Sequence, residues 1–465
     1  MKMKKLLALA LAGTMALSMA ACGSSSESAS SDSAASTDSS AESTEGGSGE
    51  KLVIWTLAKD LDAFGQYYQE KTGTEVETVV IEPADYPTKV QTAIMGGETE
   101  PDIIVGEPQM LQDMYDNGFF ANLDELGAKD HEGEIVDYVW KVGQDADGIQ
   151  RAISYQITPA GFYYRRDIAQ EVFGTDDPTE IGKLFADYDT ILDTAKTLKD
   201  AGYRIFASDS EVGYFSGDSA WVVDGKLNVN EARYDYMDLV VALYQNDLTA
   251  YANQWSTPWY QAMSGEVPIL TAEIQNYEDD SVNVWDAESF AEATKDLEKT
   301  EVFAFGLPAW GVLTMRDNVG DTAGKWGVCS GPAYGFGGGT YIGISELSNR
   351  KELAWDFIQF VTLNEETADW WIEKSQGDTV SLIAALDKHK DDANEVYGGE
   401  QLYSFWLEQA KGIDYSKVTK YDQVINDAWG AAIGNIKTGT MSKEDALAGF
   451  YDTVESTYPD ITVER

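Results

Sequence analysis

"KLVIWTLAKDLDAFGQYYQEKTGTEVETVVIEPADYPTKVQTAIMGGETEPDIIVGE", residues 51–107, switches back and forth between two hydrophobic periods. "KLVIWTL" is a short apolar run with the composition of a strand. "KDLDAFGQYYQEKTG" then sets Leu61, Phe64 and Tyr68 at helical spacing and closes on Gly73, a residue suited to a helix C-cap. "TEVETVVIE" alternates as a strand does. "DYPTKVQTAIMGGE" returns to helical spacing through Val90, Ala93 and Ile94 and stops at Gly96-Gly97. "PDIIVGE" is a third strand and "PQMLQDMYDNGFF", directly after it, a third helix. Strand and helix alternating three times predict right-handed crossovers and a parallel sheet, hence an α/β fold.

Open sheets of this kind bind ligands beyond the carboxyl ends of their strands. Those ends are Trp55-Thr56, Glu82-Pro83 and Gly106-Glu107, which puts Trp55, Glu82 and Glu107 among the candidate site residues. Trp55 suits core packing as well as ligand contact.

Outward from this block, the N-terminus reads as an address. "MKMKKLLALALAGTMALSMAAC", residues 1–22, has Lys2, Lys4 and Lys5 ahead of an apolar stretch, the pattern of a secretory signal. It falls short of the roughly 20 apolar residues that a membrane span needs. Met19-Ala20-Ala21-Cys22 resembles a bacterial lipobox, with Met19 where leucine is usual, so Cys22 is the expected lipidation site. Residues 23–50 are almost wholly Ser, Gly, Ala, Thr and acid, a composition that buries nothing and predicts a disordered tether.

The remaining chain, from Lys51 to Arg465, is too long for one small core and predicts two lobes. A formal charge of −47 excludes nucleic-acid binding through a basic footprint and disfavours anionic lipid. With Cys22 lipidated, Cys329 stands alone, so no disulfide framework forms, and Cys329 reads as a small buried residue. The two histidines, His131 and His389, lie in polar, charged surroundings. No HExxH, CxxC, Walker loop or GxSxG occurs, so neither a metal site nor a cofactor is expected.

"WGVCSGPAYGFGGGTYIGIS", residues 326–345, holds four aromatics and seven glycines. Together with "KLVIWT", "TKVQTAIMGGETEPDIIVGE", "ITPAGFYYRRDI" (its Tyr-x-x-Asp opening a helix), "GLPAWGVLTMRDN", "AWDFIQFVTLNEET" and "AWGAAIGNIKTGTMSKEDAL", in this order, it resembles the extracellular solute-binding proteins of the oligosaccharide type. These are receptor lipoproteins of ATP-driven sugar importers. The resemblance runs over 51–465 and departs from the pattern between "SGEVPIL" and "GLPAWG", where an insertion blurs the hinge crossing near 270–305.

That resemblance implies a two-lobed periplasmic-binding-protein-like fold with a ligand cleft and several hinge crossings. One lobe is expected from 51–156 with 302–342, the other from 157–301 with 343–465. It implies an oligosaccharide ligand, permease subunits of an ABC importer as partners, a monomer without catalysis, and a place on the extracellular face of the membrane through the lipid alone. Sugars present apolar C–H faces and hydroxyl edges, so rings and close backbone suit them. Trp310, Tyr334 and Phe336 would supply rings and Gly338 a bare backbone, unless the rings merely pack a turn. Tyr155 and Gln156 fall at the first hinge crossing. Trp255 and Trp259 line the second lobe or pack its helices, and Trp221 is open between core and cleft. The competing readings are a receptor for a peptide or a cationic solute, and a lipid-anchored glycoside hydrolase using two of the 80 acids.

Overall fold

A computed structural model describes residues 51–217, 219–270 and 287–465. Cys22, the 23–50 tether and residues 271–286 of the expected insertion lie outside the described residues.

The opening block folds as its periods require. Strand β1 (Lys51–Thr56), helix α1 (Asp60–Thr72), β2 (Glu75–Val80), α2 (Tyr86–Gly96), β3 (Ile103–Gly106) and α3 (Pro108–Asp116) follow one another. β1 pairs in parallel with both β2 and β3. Gly73 and Gly97 end α1 and α2 in the left-handed region, at φ of 78° and 79°. α1 turns Phe64 and Tyr68 inward, where they meet Trp371 and Phe357.

Six further strands complete the two larger sheets. β4 (Ala152–Ser154), β5 (Ala160–Arg165), β6 (Arg204–Phe206), β7 (Val302–Pro308), β8 (Trp326–Cys329) and β9 (Tyr341–Ile344) follow in chain order. The first sheet runs β2-β1-β3-β9-β4 and the second β8-β5-β7-β6. β9 lies antiparallel between β3 and β4.

This pairing corrects the expected partition. Residues 302–308 and 326–329 flank β5 in the second sheet, and only 341–344 returns to the first. Helices Lys351–Thr362 and Glu365–Ser375 also pack beside α1, with Tyr68 Oη donating to Asp356 at 2.6 Å. The physical reason is edge satisfaction. β5 is buried along its length and apolar up to Arg165, and β7 and β8, buried throughout, cover its two edges. β9 does the same for β3 and β4.

The chain therefore passes between the sheets at 155–159 and back at 330–340. A third passage, 412–421, leads from helix Leu402–Lys411 to helix Asp422–Lys437, which packs on helix Glu231–Gln245. The closing helix Lys443–Thr457 is capped by Ser442, whose Oγ accepts from Asp445 N at 3.1 Å. Cys329 is buried, and burial pushes its thiol pKa up. Among the described residues no helix is long and apolar enough to cross a membrane.

Candidate functional site

A cavity of about 770 Å³ lies where the two sheets face each other. Glu107 and Gln109, at the β3–α3 junction, line one side, and Tyr214, Trp221, Arg233 and Trp255 the other. Trp310 and residues 334–338 lie between them.

The aromatic lining is held by hydrogen bonds and by missing side chains. Trp310 follows the end of β7 and donates through Nε1 to Gly337 O at 3.0 Å. Trp255 adopts φ of 70°, unusual for a non-glycine residue, and 36% of its surface is exposed. Its ring lies 5.8 Å from that of Trp310 at an interplanar angle of 28°. Together they form one stacked surface.

Tyr214 reaches the cavity from the turn 209–215, which is clamped from behind. Glu211 in that turn is fully buried and accepts from Trp259 Nε1 at 2.6 Å and from Gly306 N at 2.9 Å. The glycine-rich stretch makes room for it. A Cβ at Gly337 would stand 2.5 Å from Tyr214 Cδ1, and one at Gly335 would overlap the Tyr214 carbonyl. Gly338 sits at φ of 68°, where a side chain is strained.

On the far wall, Trp221 Nε1 donates to Asn426 Oδ1 at 2.7 Å, and the Arg233 guanidinium lies 3.4 Å over its ring. A smaller recess of about 230 Å³ shares Glu107, Trp310 and Gly338 with the cavity and adds Asp60, Gln156 and Thr340. Asp60 accepts from Tyr155 Oη at 2.8 Å. Burial raises the Glu107 and Asp60 carboxyl pKa values, and the hydrogen bonds from Gln109 and Tyr155 offset only part of this.

Seven of the residues singled out in the sequence converge on the main cavity: Glu107, Trp221, Trp255, Trp310, Tyr334, Phe336 and Gly338. Gln156 faces the recess, and Tyr155 lies behind it in the core, touching Phe64 and Trp371. Trp259 is fully buried, its ring edge against Phe305. Trp55 is directed elsewhere. Strand alternation turns it toward α2, where it lines a separate cavity with Val79 and Thr92. Glu82 is exposed, and only its neighbour Pro83 borders the main cavity. Sequence reasoning missed Tyr214, Gln109 and the polar group Asp414, Lys417, Asp422, Gln423 and Asn426, all contributors to the lining.

The buried acids predict a pH dependence. Burial pushes Glu211 up to about 8, against its Trp259 and Gly306 donors. Burial and the nearby Asp60 carboxylate push Asp378 up to about 7, and burial pushes Glu400 up to about 7 despite Arg166. The unfolded chain releases these protons near 4.5 for the glutamates and 3.8 for the aspartate. Between those values and 7 to 8 the folded state binds more protons, so stability falls as pH rises. His389 acts in the same direction. Burial disfavours its charged ring, but Asp392 and Asp369 outweigh this and raise its pKa. The melting temperature is expected to be higher at pH 5.5 than at pH 8 by about 5 °C, read by calorimetry at constant ionic strength.

A sequence profile described as bacterial extracellular solute-binding protein matches residues 63–394. No curated protein sequence matches the chain. Several solved structures superpose on it. An extracellular solute-binding protein of family 1 gives a TM-score of 0.69 at 18% identity, over 87% of this chain and 99% of the other. The ABC-transporter-associated binding protein of B. animalis subsp. lactis Bl-04, solved with β-1,6-galactobiose, gives 0.63 at 19% identity, over 89% and 99%. The galacto-N-biose/lacto-N-biose I-binding protein of the Bifidobacterium longum ABC transporter, solved with lacto-N-biose, gives 0.65 at 14% identity, over 89% and 98%.

Proposed function

The chain belongs to the bacterial extracellular solute-binding proteins, and from that premise we propose that it is a lipid-anchored receptor for a carbohydrate, an oligosaccharide in particular, which it delivers to the permease of an ABC importer. The observation that carries this reading is the cavity wall. Trp255 stacked on Trp310, with Tyr214, Tyr334 and Phe336 beside them, offers apolar faces to sugar rings. Glu107, Gln109, Arg233, Asp414 and Gln423 offer hydrogen bonds to hydroxyl edges. The sugars held by the two bifidobacterial neighbours support the same class.

The receptor works by binding alone. Ligand enters between the lobes, which close about the passages 155–159, 330–340 and 412–421. The permease then reads the closed state. One lobe takes 51–156 and 341–411, the other 160–329 and 422–465. Lipid on Cys22 and a leash of 23–50 keep the monomer at the extracellular face of the membrane.

A second reading rests on the recess. Asp60 and Glu107 line it, and no lysine or arginine does so among the described residues, an arrangement that suits an ammonium-bearing solute. A thermal-shift screen of neutral oligosaccharides, amino acids, polyamines and short peptides separates the two. A rise in melting temperature confined to one oligosaccharide class is expected. A rise confined to polyamines or peptides would replace the carbohydrate and leave the receptor fold standing.

A further inference from the structure

Tyr334 is 55% exposed, yet its ring has a defined seat in a different passage of the chain. Helix Leu402–Lys411 ends at Gly412, whose φ of −88° and ψ of −5° any residue adopts. Its amide donates to Gln409 O at 3.1 Å, as the last turn of a helix does. Nothing in the backbone calls for glycine there. A Cβ, however, would stand 2.5 Å from both Cδ1 and Cδ2 of Tyr334 and closer still to Cγ. These three ring carbons occupy the space of the missing side chain, so the ring lies directly over the bare α-carbon. Two residues on, Asp414 enters the lining of the same cavity, as does Lys417.

We propose that Gly412 is a positioning residue of the cleft: its bare α-carbon seats the Tyr334 ring and fixes the face which that ring turns toward the ligand. The affinity part of the proposal rests on the carbohydrate reading, and the seating part does not. An alanine at 412 has no backbone penalty, and it meets the stiff root of an aromatic side chain rather than a flexible tip. The ring must swing off its seat. The loss of one oriented stacking surface is worth about five- to tenfold in affinity.

The test compares the full-length wild type, Gly412→Ala, Tyr334→Ala and the double variant by two readouts. The first is fluorine NMR of protein labelled with 3-fluorotyrosine, without ligand, with the Tyr334 resonance assigned by its loss in Tyr334→Ala. The second is the affinity for whichever of cellotriose, maltotriose or xylotriose gives a saturable tryptophan-fluorescence change in the wild type. Gly412→Ala is expected to shift the Tyr334 resonance and to weaken binding, and to cause no further loss once Tyr334 is already alanine. An unmoved resonance, or an equal loss with and without the ring, overturns the proposal. If none of the three sugars binds the wild type, the carbohydrate reading has lost its support, and the resonance alone decides the seat by the same criterion. If Gly412→Ala melts early, the double variant should recover the melting temperature of Tyr334→Ala, and failure to do so also overturns the proposal.

Discussion

Replacing Trp310 by alanine is expected to weaken ligand binding about 100-fold, some 2–3 kcal/mol, the scale of a buried tryptophan hot spot. Among the described residues, Trp310 is the one aromatic that borders both the main cavity and the recess. Its removal takes away half of the stacked surface made with Trp255 and leaves Gly337 O without its indole donor. Trp310→Phe keeps a ring and loses the donor, so its loss should be nearer tenfold. Trp55→Ala is the control. It removes a tryptophan of equal size from the α2 side of the sheet and should leave affinity within about twofold. Titration calorimetry on the three variants checks the ranking, and a Trp55→Ala loss as large as that of Trp310→Ala would remove the cavity from the account.

The second large effect is on stability. Glu211→Ala should cost about 3–5 kcal/mol, because it strands two buried donors and opens a void beneath the turn 209–215. The indole of Trp259 and the amide of Gly306 both point at this one carboxyl group. Compensation by backbone movement is blocked on the strand side, since a Cβ at Gly306 would already overlap the Glu211 carbonyl. The same turn carries Tyr214 into the cavity, so the variant should bind weakly as well as unfold early. Glu211→Gln retains one acceptor and should lie between wild type and alanine. Urea unfolding at pH 7 measures both, and equal midpoints for wild type and Glu211→Ala would contradict the clamp.

The two lobes were legible in the sequence wherever a periodicity or a cap was local. The β1–α1–β2–α2–β3 alternation, the glycine stops at 73 and 97 and the Ser442 cap depend on neighbours within a few residues. The partition of β7, β8 and β9 was not legible, because an apolar strand does not announce which distant edge it covers. β7 pairs with β5 across some 140 residues of chain. Trp255 and Trp259 show the same limit at close range. Four residues apart in one aromatic stretch, one is exposed at a left-handed backbone position and the other is fully buried on a hydrogen bond to Glu211. Tyr214 was missed because its turn has no sequence signature. Its place depends on the glycines at 335 and 337, more than a hundred residues away, leaving space for it.

The most direct measurement is a calorimetric titration of the purified protein with the oligosaccharide selected by thermal shift, run beside Trp310→Ala, followed by chromatography of the recovered sugar. Saturable one-to-one binding that Trp310→Ala weakens about 100-fold, with the sugar returned intact, is the predicted result. A cleaved sugar would make the protein an enzyme, and binding indifferent to Trp310 would put the ligand outside the cleft.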